Sequence, residues 1–230
     1  MIIMEKLIEK LNNPFDGLTK NDIPKIQKRC QEIAELLFER YGIRCGKRLF
    51  QFAEIEFYYY KKEVDDIHNF DAPWNKETYP RQKNAGDFFF HYSGVDICFQ
   101  CNFEEKEKMD EYGEYGGILI RSIREGDKIL AGPLFCVNAI LNACENEMPQ
   151  LEQLAPNNNL QIDYKTDTRC GISSDQEQEE GKKLFLCYYV THVNNKELIW
   201  SKVSERIAWD KKNGKFKAST RNYQKERPLK

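Results

Sequence analysis

Residues 51–60, "QFAEIEFYYY", confine the fold more tightly than any other stretch of the chain. Phe52, Ile55, Phe57 and three successive tyrosines specify a β-strand, because aromatic and β-branched side chains pack well on a pleated surface. Yet Glu54 and Glu56 lie inside that run. An isolated buried charge costs several kcal/mol, at about that order, so the carboxylates need either water or partners. Side chains alternate across a strand, which sets Glu54, Glu56 and Tyr58 on one face and Ile55 and Phe57 on the other. Two readings follow. In the first, this is an edge strand with a solvated polar face. In the second, a carboxylate beside another carboxylate and a phenol serves as a general base, with an arginine such as Arg121 tuning its proton affinity.

Around this strand the spacing predicts α+β architecture in a single domain: helices packed on a curved, mostly antiparallel sheet. Residues 4–12 read as a short helix ended by "NNPFDG". Ile23, Ile26, Cys30, Ile33, Ala34, Leu37, Phe38 and Tyr41 follow helical spacing. Thr19 is the expected N-cap, Asp22 the first-turn acid and Gly42 the stop. "RCGKRLFQFAEIEFYYY" reads as strand with a bend, "DFFFHYSGVDICFQCNF" as a strand or a hairpin about Ser93-Gly94, and "GGILIRSI" as a buried strand carrying Arg121. "GPLFCVNAILNAC" reads as a helix opened by Pro133, with Leu134, Val137 and Leu141 on one face. "LQIDYKTD" and "KKLFLCYYVT" read as strands, and "KKNGKF" as a turn.

At 230 residues with 40% hydrophobic side chains, the chain has ample material for a core. The formal charge of −2 does not advertise nucleic acid. From 211 to 230, eight Lys/Arg stand against one Glu, a basic tail. The eight cysteines are scattered, and the start of the chain lacks the long apolar core of a signal peptide. Reduced thiols and a cytoplasmic setting are therefore expected. Cys98 and Cys101 form an isolated CxxC with no second pair, too few ligands for a structural zinc, so no metal is expected. Nothing matches a nucleophile elbow or a phosphate-binding glycine loop. No run is long enough to span a bilayer, so no membrane partner is expected.

Several motifs, taken in order, resemble the alkylpurine (3-methyladenine) DNA glycosylases of the human alkyladenine type. They are "EIEFY" at 54–58, His68 twelve residues past Glu56, "GDFFFHYSG" at 86–94, "LIRSI" at 119–123, and "GPLFCVNAIL" from Gly132. The likeness covers roughly residues 48–145. It implies a glycosylase-like core over 46–210, between an N-terminal helical segment (1–45) and the basic tail (211–230). It implies excision of damaged purines by hydrolysis of the N-glycosidic bond, without a cofactor. Glu56 would activate water, and Arg121 would sit beside that water and the sugar-phosphate. Tyr58, His68, Phe90 or His91, and Gln100 would line the base pocket, while Arg81 and Lys83 would meet phosphates. The partner implied is DNA, or a modified nucleobase or nucleoside. A flipped base in an aromatic slot is how such chemistry reaches a glycosidic bond. The sequence also departs from the family. Ser93 stands where a wedge tyrosine is usual, and the histidine spacing is one residue longer. A non-catalytic binding protein of the same fold is the alternative reading.

Overall fold

The computed structural model describes residues 2–18, 22–63, 66–69, 84–91, 94–100, 114–144, 147–167, 187–198, 205–210 and 215–220. For some of these, including 60–63, 66–69, 114–115 and both strands beyond residue 204, only the backbone is described. The expected α+β architecture is present: a curled antiparallel half-barrel with, among the described residues, three helices. The elements run α1 (Ile2–Asn12), α2 (Ile23–Arg40), β1 (Tyr41–Cys45), β2 (Arg48–Glu63), β3 (Asp66–Asn69), β4 (Phe88–His91), β5 (Gly94–Cys98), β6 (Glu114–Glu125), β7 (Lys128–Ala131), α3 (Pro133–Ala143), β8 (Gln150–Gln153), β9 (Ile162–Asp167), β10 (Cys187–Val193), β11 (Lys196–Glu197), β12 (Glu205–Asp210) and β13 (Lys215–Thr220). The spine of the main sheet is β11-β10-β2-β6-β5-β4, with β1, β3, β7, β8 and β9 pairing off it. β12 and β13 pair with each other, flanking the Asn213-Gly214 turn signal. Among the described residues no helix is long and apolar enough to cross a membrane.

One face of the sheet carries the core. Phe52, Ile55 and Phe57 of β2, Ile118 and Ile120 of β6, Val95 and Ile97 of β5 and Tyr188 of β10 are all buried. Cross-strand register keeps Ile55 opposite both Ile120 and Tyr188, and Phe57 opposite Ile118. α2 covers this face with Ile26, Cys30, Ile33, Ala34, Leu37 and Phe38. The Tyr188 phenol donates to the Gln27 carbonyl of α2 at 3.2 Å. Phe57 meets Tyr188 edge-on at 5.6 Å, while Phe15 does the same to Tyr59 at 4.6 Å, which closes the N-terminal segment over the aromatic layer. Burial alone raises the Cys30 thiol far above its ordinary range, so it is inert packing.

Three details differ from the sequence reading. Asp22 is itself the N-cap of α2 without capping by its side chain, which instead accepts from Lys25 at 2.6 Å. The expected cap Thr19 lies outside the described residues. α2 ends at Arg40 because Tyr41 turns extended and the chain enters β1 directly. Gly42 therefore does not stop the helix. It is needed because a Cβ there would come within 2.8 Å of both the Leu49 side chain and the Phe50 carbonyl in the β1–β2 hairpin. The third detail concerns α3. Its buried residues are Cys136, Ile140 and Ala143, while Leu134 and Leu141 are 49% and 51% exposed. Helical spacing finds two candidate apolar stripes on this segment; the sheet buries Cys136, Ile140 and Ala143, and of the expected stripe only Val137 packs partly against the core. β8 escaped the sequence reading because "QLEQ" is too short and polar to signal a strand; pairing with β1 and the bidentate Arg44–Glu152 contact at 2.6 Å hold it.

The orientation of α3 has a direct consequence. Ile140→Ala should cost about 2–5 kcal/mol in urea unfolding, whereas Leu141→Ser should change stability by no more than about 0.5 kcal/mol.

Candidate functional site

The second face of the sheet is polar and nonetheless largely buried. Register aligns Cys187, Glu56, Leu119, Asp96 and Phe89 in one row across five strands. Glu54 is fully buried, and Asp96, Arg121 and Glu56 are 3%, 4% and 8% exposed. The solvated edge strand, one of the two sequence readings, is thus excluded for these carboxylates.

Arg121 reaches them through an irregularity in the sheet. Between Phe52 and Glu54 the β2–β6 register gains a residue on β2, and between Glu54 and Ile55 it gains one on β6. The residues left over are Ala53 and Arg121. Ser122 is the partner of Glu54, so the second bulge turns Arg121 and Ser122 to the same side, where strict alternation would separate them. Both then bind Glu54. Arg121 Nε donates to Glu54 Oε1 at 3.2 Å and Ser122 Oγ to Glu54 Oε2 at 2.9 Å. The Cys187 thiol adds a weak donor 3.5 Å from Oε1. Arg121 Nη1 donates to Glu56 Oε2 at 3.2 Å. One guanidinium thus spans two carboxylates, and Glu54 is held by donors from both flanking strands, Arg121 and Ser122 of β6 and Cys187 of β10. Cys136 of α3 lies against this cluster. Its thiol is pushed well above the ordinary range, first by burial and then by the charge of Glu54.

A second group adjoins the first. The Tyr58 phenol donates to Asp96 Oδ2 at 2.6 Å, and His91 Nε2 lies 3.2 Å from the same oxygen. Gly117 makes the first contact possible. It stands opposite Tyr58 between β2 and β5, and a Cβ there would come within 3.0 Å of the phenol oxygen and 2.9 Å of the Ile97 carbonyl. Its neighbour Gly116 opens the other face to Phe99 in the same way, at 3.0 Å. The His91 ring stacks on Phe89, with centroids 5.6 Å apart and planes at 17°. α3 begins close by: a Cβ on Gly94, the residue opposite His91, would sit 3.1 Å from Pro133. Leu119, half-buried, lies in register between Glu56 and Asp96 and forms an apolar floor between the two polar groups.

The sequence candidates therefore divide. Glu56, Arg121, Tyr58 and His91 share the polar face. Phe90 does not: it pairs with Val95 and packs against the core, so β4 gives the polar face His91 and Phe89 instead. Gln100 accepts from the Ala85 backbone at 3.3 Å, and its own N–H bonds the Leu11 carbonyl, tying the end of β5 to the N-terminal segment. The His68 backbone pairs with Lys61, five residues along β2 from Glu56, and its side chain is outside the described residues. Arg81, Lys83 and Ser93 lie outside them as well. Asp96 and Ser122 are the site members the sequence reading missed. Asp96 had a signal, a lone acid in the apolar run "GVDICF" of the kind that Glu54 and Glu56 show. Ser122 had none, because only the bulge brings it round. Among the described residues no cluster of three or more His, Cys, Asp or Glu is placed to hold a metal ion. The chain matches no protein-family model, and comparison with curated proteins finds no similar sequence.

Tyr58→Phe removes the O–H donor from a buried carboxylate and should cost about 1–3 kcal/mol by chemical denaturation. Unchanged stability would show that the phenol contributes nothing to holding Asp96.

Proposed function

We propose that this polar face is the active site of an N-glycosylase that hydrolyses the bond between a damaged purine and its sugar, with Glu56 activating the attacking water. The observation that carries the reading is the seating of Glu56. It is a nearly buried carboxylate, 8% exposed, gripped by Arg121 and flanked on the same face by Tyr58. A carboxylate in such a place takes the proton of water and stabilises the oxocarbenium-like sugar as the base departs. Arg121 holds Glu56 in position and offsets the excess negative charge. The motif order that resembles the alkyladenine-type glycosylases supports the same assignment, as does the antiparallel sheet that unites those motifs. By that resemblance the fold is glycosylase-like, and His68 joins the base pocket.

A second reading rests on charge. Among the described residues the site holds three carboxylates, Glu54, Glu56 and Asp96, against one guanidinium. That balance suits a nucleobase or nucleoside better than a phosphate-rich duplex, and in this reading the protein binds such a ligand without cleaving it.

Incubation with duplex and single-stranded oligonucleotides carrying 3-methyladenine, hypoxanthine or 1,N6-ethenoadenine separates the two. The glycosylase reading predicts abasic product, reduced at least about 10²-fold by Glu56→Gln. Tight binding of the modified base with no abasic product would establish the binding protein instead.

A further inference from the structure

A single buried thiol is inert packing, but two thiols side by side can join, and one such pair lies away from the polar face. We propose that Cys45 and Cys144 form a thiol–disulfide exchange site, at which a low-molecular-weight disulfide closes a reversible bond between the end of β1 and the end of α3. The proposal does not depend on the function assigned to Glu56.

Four observations carry it. First, the backbone brings the two segments together. α3 packs on β1, and a Cβ on Gly46, the residue after Cys45, would stand 3.2 Å from the carbonyl oxygen of Ala143, the residue before Cys144. Second, the two side chains act on one another. After burial itself, the Cys144 thiol is the largest influence on the ionisation of Cys45, and together they push it up to about 12 against the opposing charges of Arg48 and Arg44. Third, both positions are anchored. Cys45 pairs with Arg48 in the β1–β2 hairpin. Cys144 caps α3, its N–H shared between the Ile140 and Leu141 carbonyls and its own carbonyl accepting from Glu147. Fourth, the pair is asymmetric: Cys45 is fully buried, whereas Cys144 is only half-buried. A reagent in solution therefore meets Cys144 first. Cys30, Cys98, Cys136 and Cys187 are buried like Cys45, and burial holds the Cys30 and Cys136 thiols far above their ordinary range, so these do not compete.

The exchange proceeds in two balanced steps. The Cys144 thiolate attacks one sulfur of the external disulfide. That S–S bond breaks, its electron pair leaves with the other sulfur as a thiolate, and a mixed disulfide remains on Cys144. Cys45 then gives its proton to solvent and its sulfur attacks the Cys144 sulfur, expelling the second small thiolate. Two protein thiols are oxidised and one external disulfide is reduced to two thiols. The bond closes a loop of roughly a hundred residues, which contains most of the polar face, so oxidation also raises resistance to unfolding.

The test incubates the folded protein with oxidised glutathione, quenches it in acid, alkylates the remaining thiols in denaturant and maps the peptides by mass. The proposal predicts a peptide linking Cys45 to Cys144, abolished by dithiothreitol, and a urea midpoint that rises on oxidation and returns on reduction. Cys45→Ala should trap the glutathione adduct on Cys144, while Cys144→Ser should leave Cys45 unmodified. The wild-type map decides the matter even if a variant fails to fold. Alkylation of both thiols in the wild type would overturn the proposal. So would a glutathione adduct that persists on Cys144 beside a free Cys45, a bond from either cysteine to a different partner, or a linked peptide that forms only in urea.

Discussion

One arginine holds this structure's chemistry in place. Glu54 has no exposure to water and Glu56 little, yet both sit in the central strand of the sheet. Without Arg121 between them they would be two like charges in a poorly hydrated interior, an arrangement that favours either protonation or unfolding. Replacing such a buried cluster by apolar side chains is often neutral or stabilising, so stability alone does not explain its presence. On the function proposed above, the cluster is kept at that disadvantage for what it does to a ligand.

Everything that admits Arg121 is a departure from regular sheet geometry. The paired bulges at Ala53 and Arg121 turn two consecutive residues of β6 toward Glu54. Gly117 lets the Tyr58 ring cross to Asp96, and Gly94 lets the first turn of α3 approach β5. The stability that tolerates these features comes from the opposite face, where the aromatic layer beneath α1 and α2 is regular in register and nearly free of polar groups. The sheet thus separates its tasks by face: packing on one side, charge on the other.

This division is what made part of the molecule legible in the sequence. The alternation in "EIEFY" correctly put Glu54, Glu56 and Tyr58 together against Ile55 and Phe57, because period 2 is a local property. The apolar spacing of α2 was equally plain, with one long stripe and no competing one. α3 has two stripes, so its burial could not be read without knowing where the sheet lay. "FFFH" left Phe90 and His91 as alternatives for the polar face; neighbours in a strand face opposite ways, and the register of β4 with β5 decides for His91. Ser122 escaped because a bulge breaks the alternation that sequence reasoning relies on, and nothing local to "RSI" announces one. Asp96 could have been found by the reasoning applied to Glu54: a lone acid in a run of buried apolar residues calls for a partner.

The direct test of the central claim is the energetic coupling between Arg121 and Glu54, measured by urea unfolding of Arg121→Met, Glu54→Gln and the double variant. If the guanidinium is what permits the buried carboxylate, Arg121→Met alone costs about 3–5 kcal/mol. Adding Glu54→Gln then recovers part of that loss, with a coupling energy of roughly 1–3 kcal/mol. Additivity of the two substitutions within about 0.5 kcal/mol would contradict the account, for it would mean that Glu54 is indifferent to the arginine beside it.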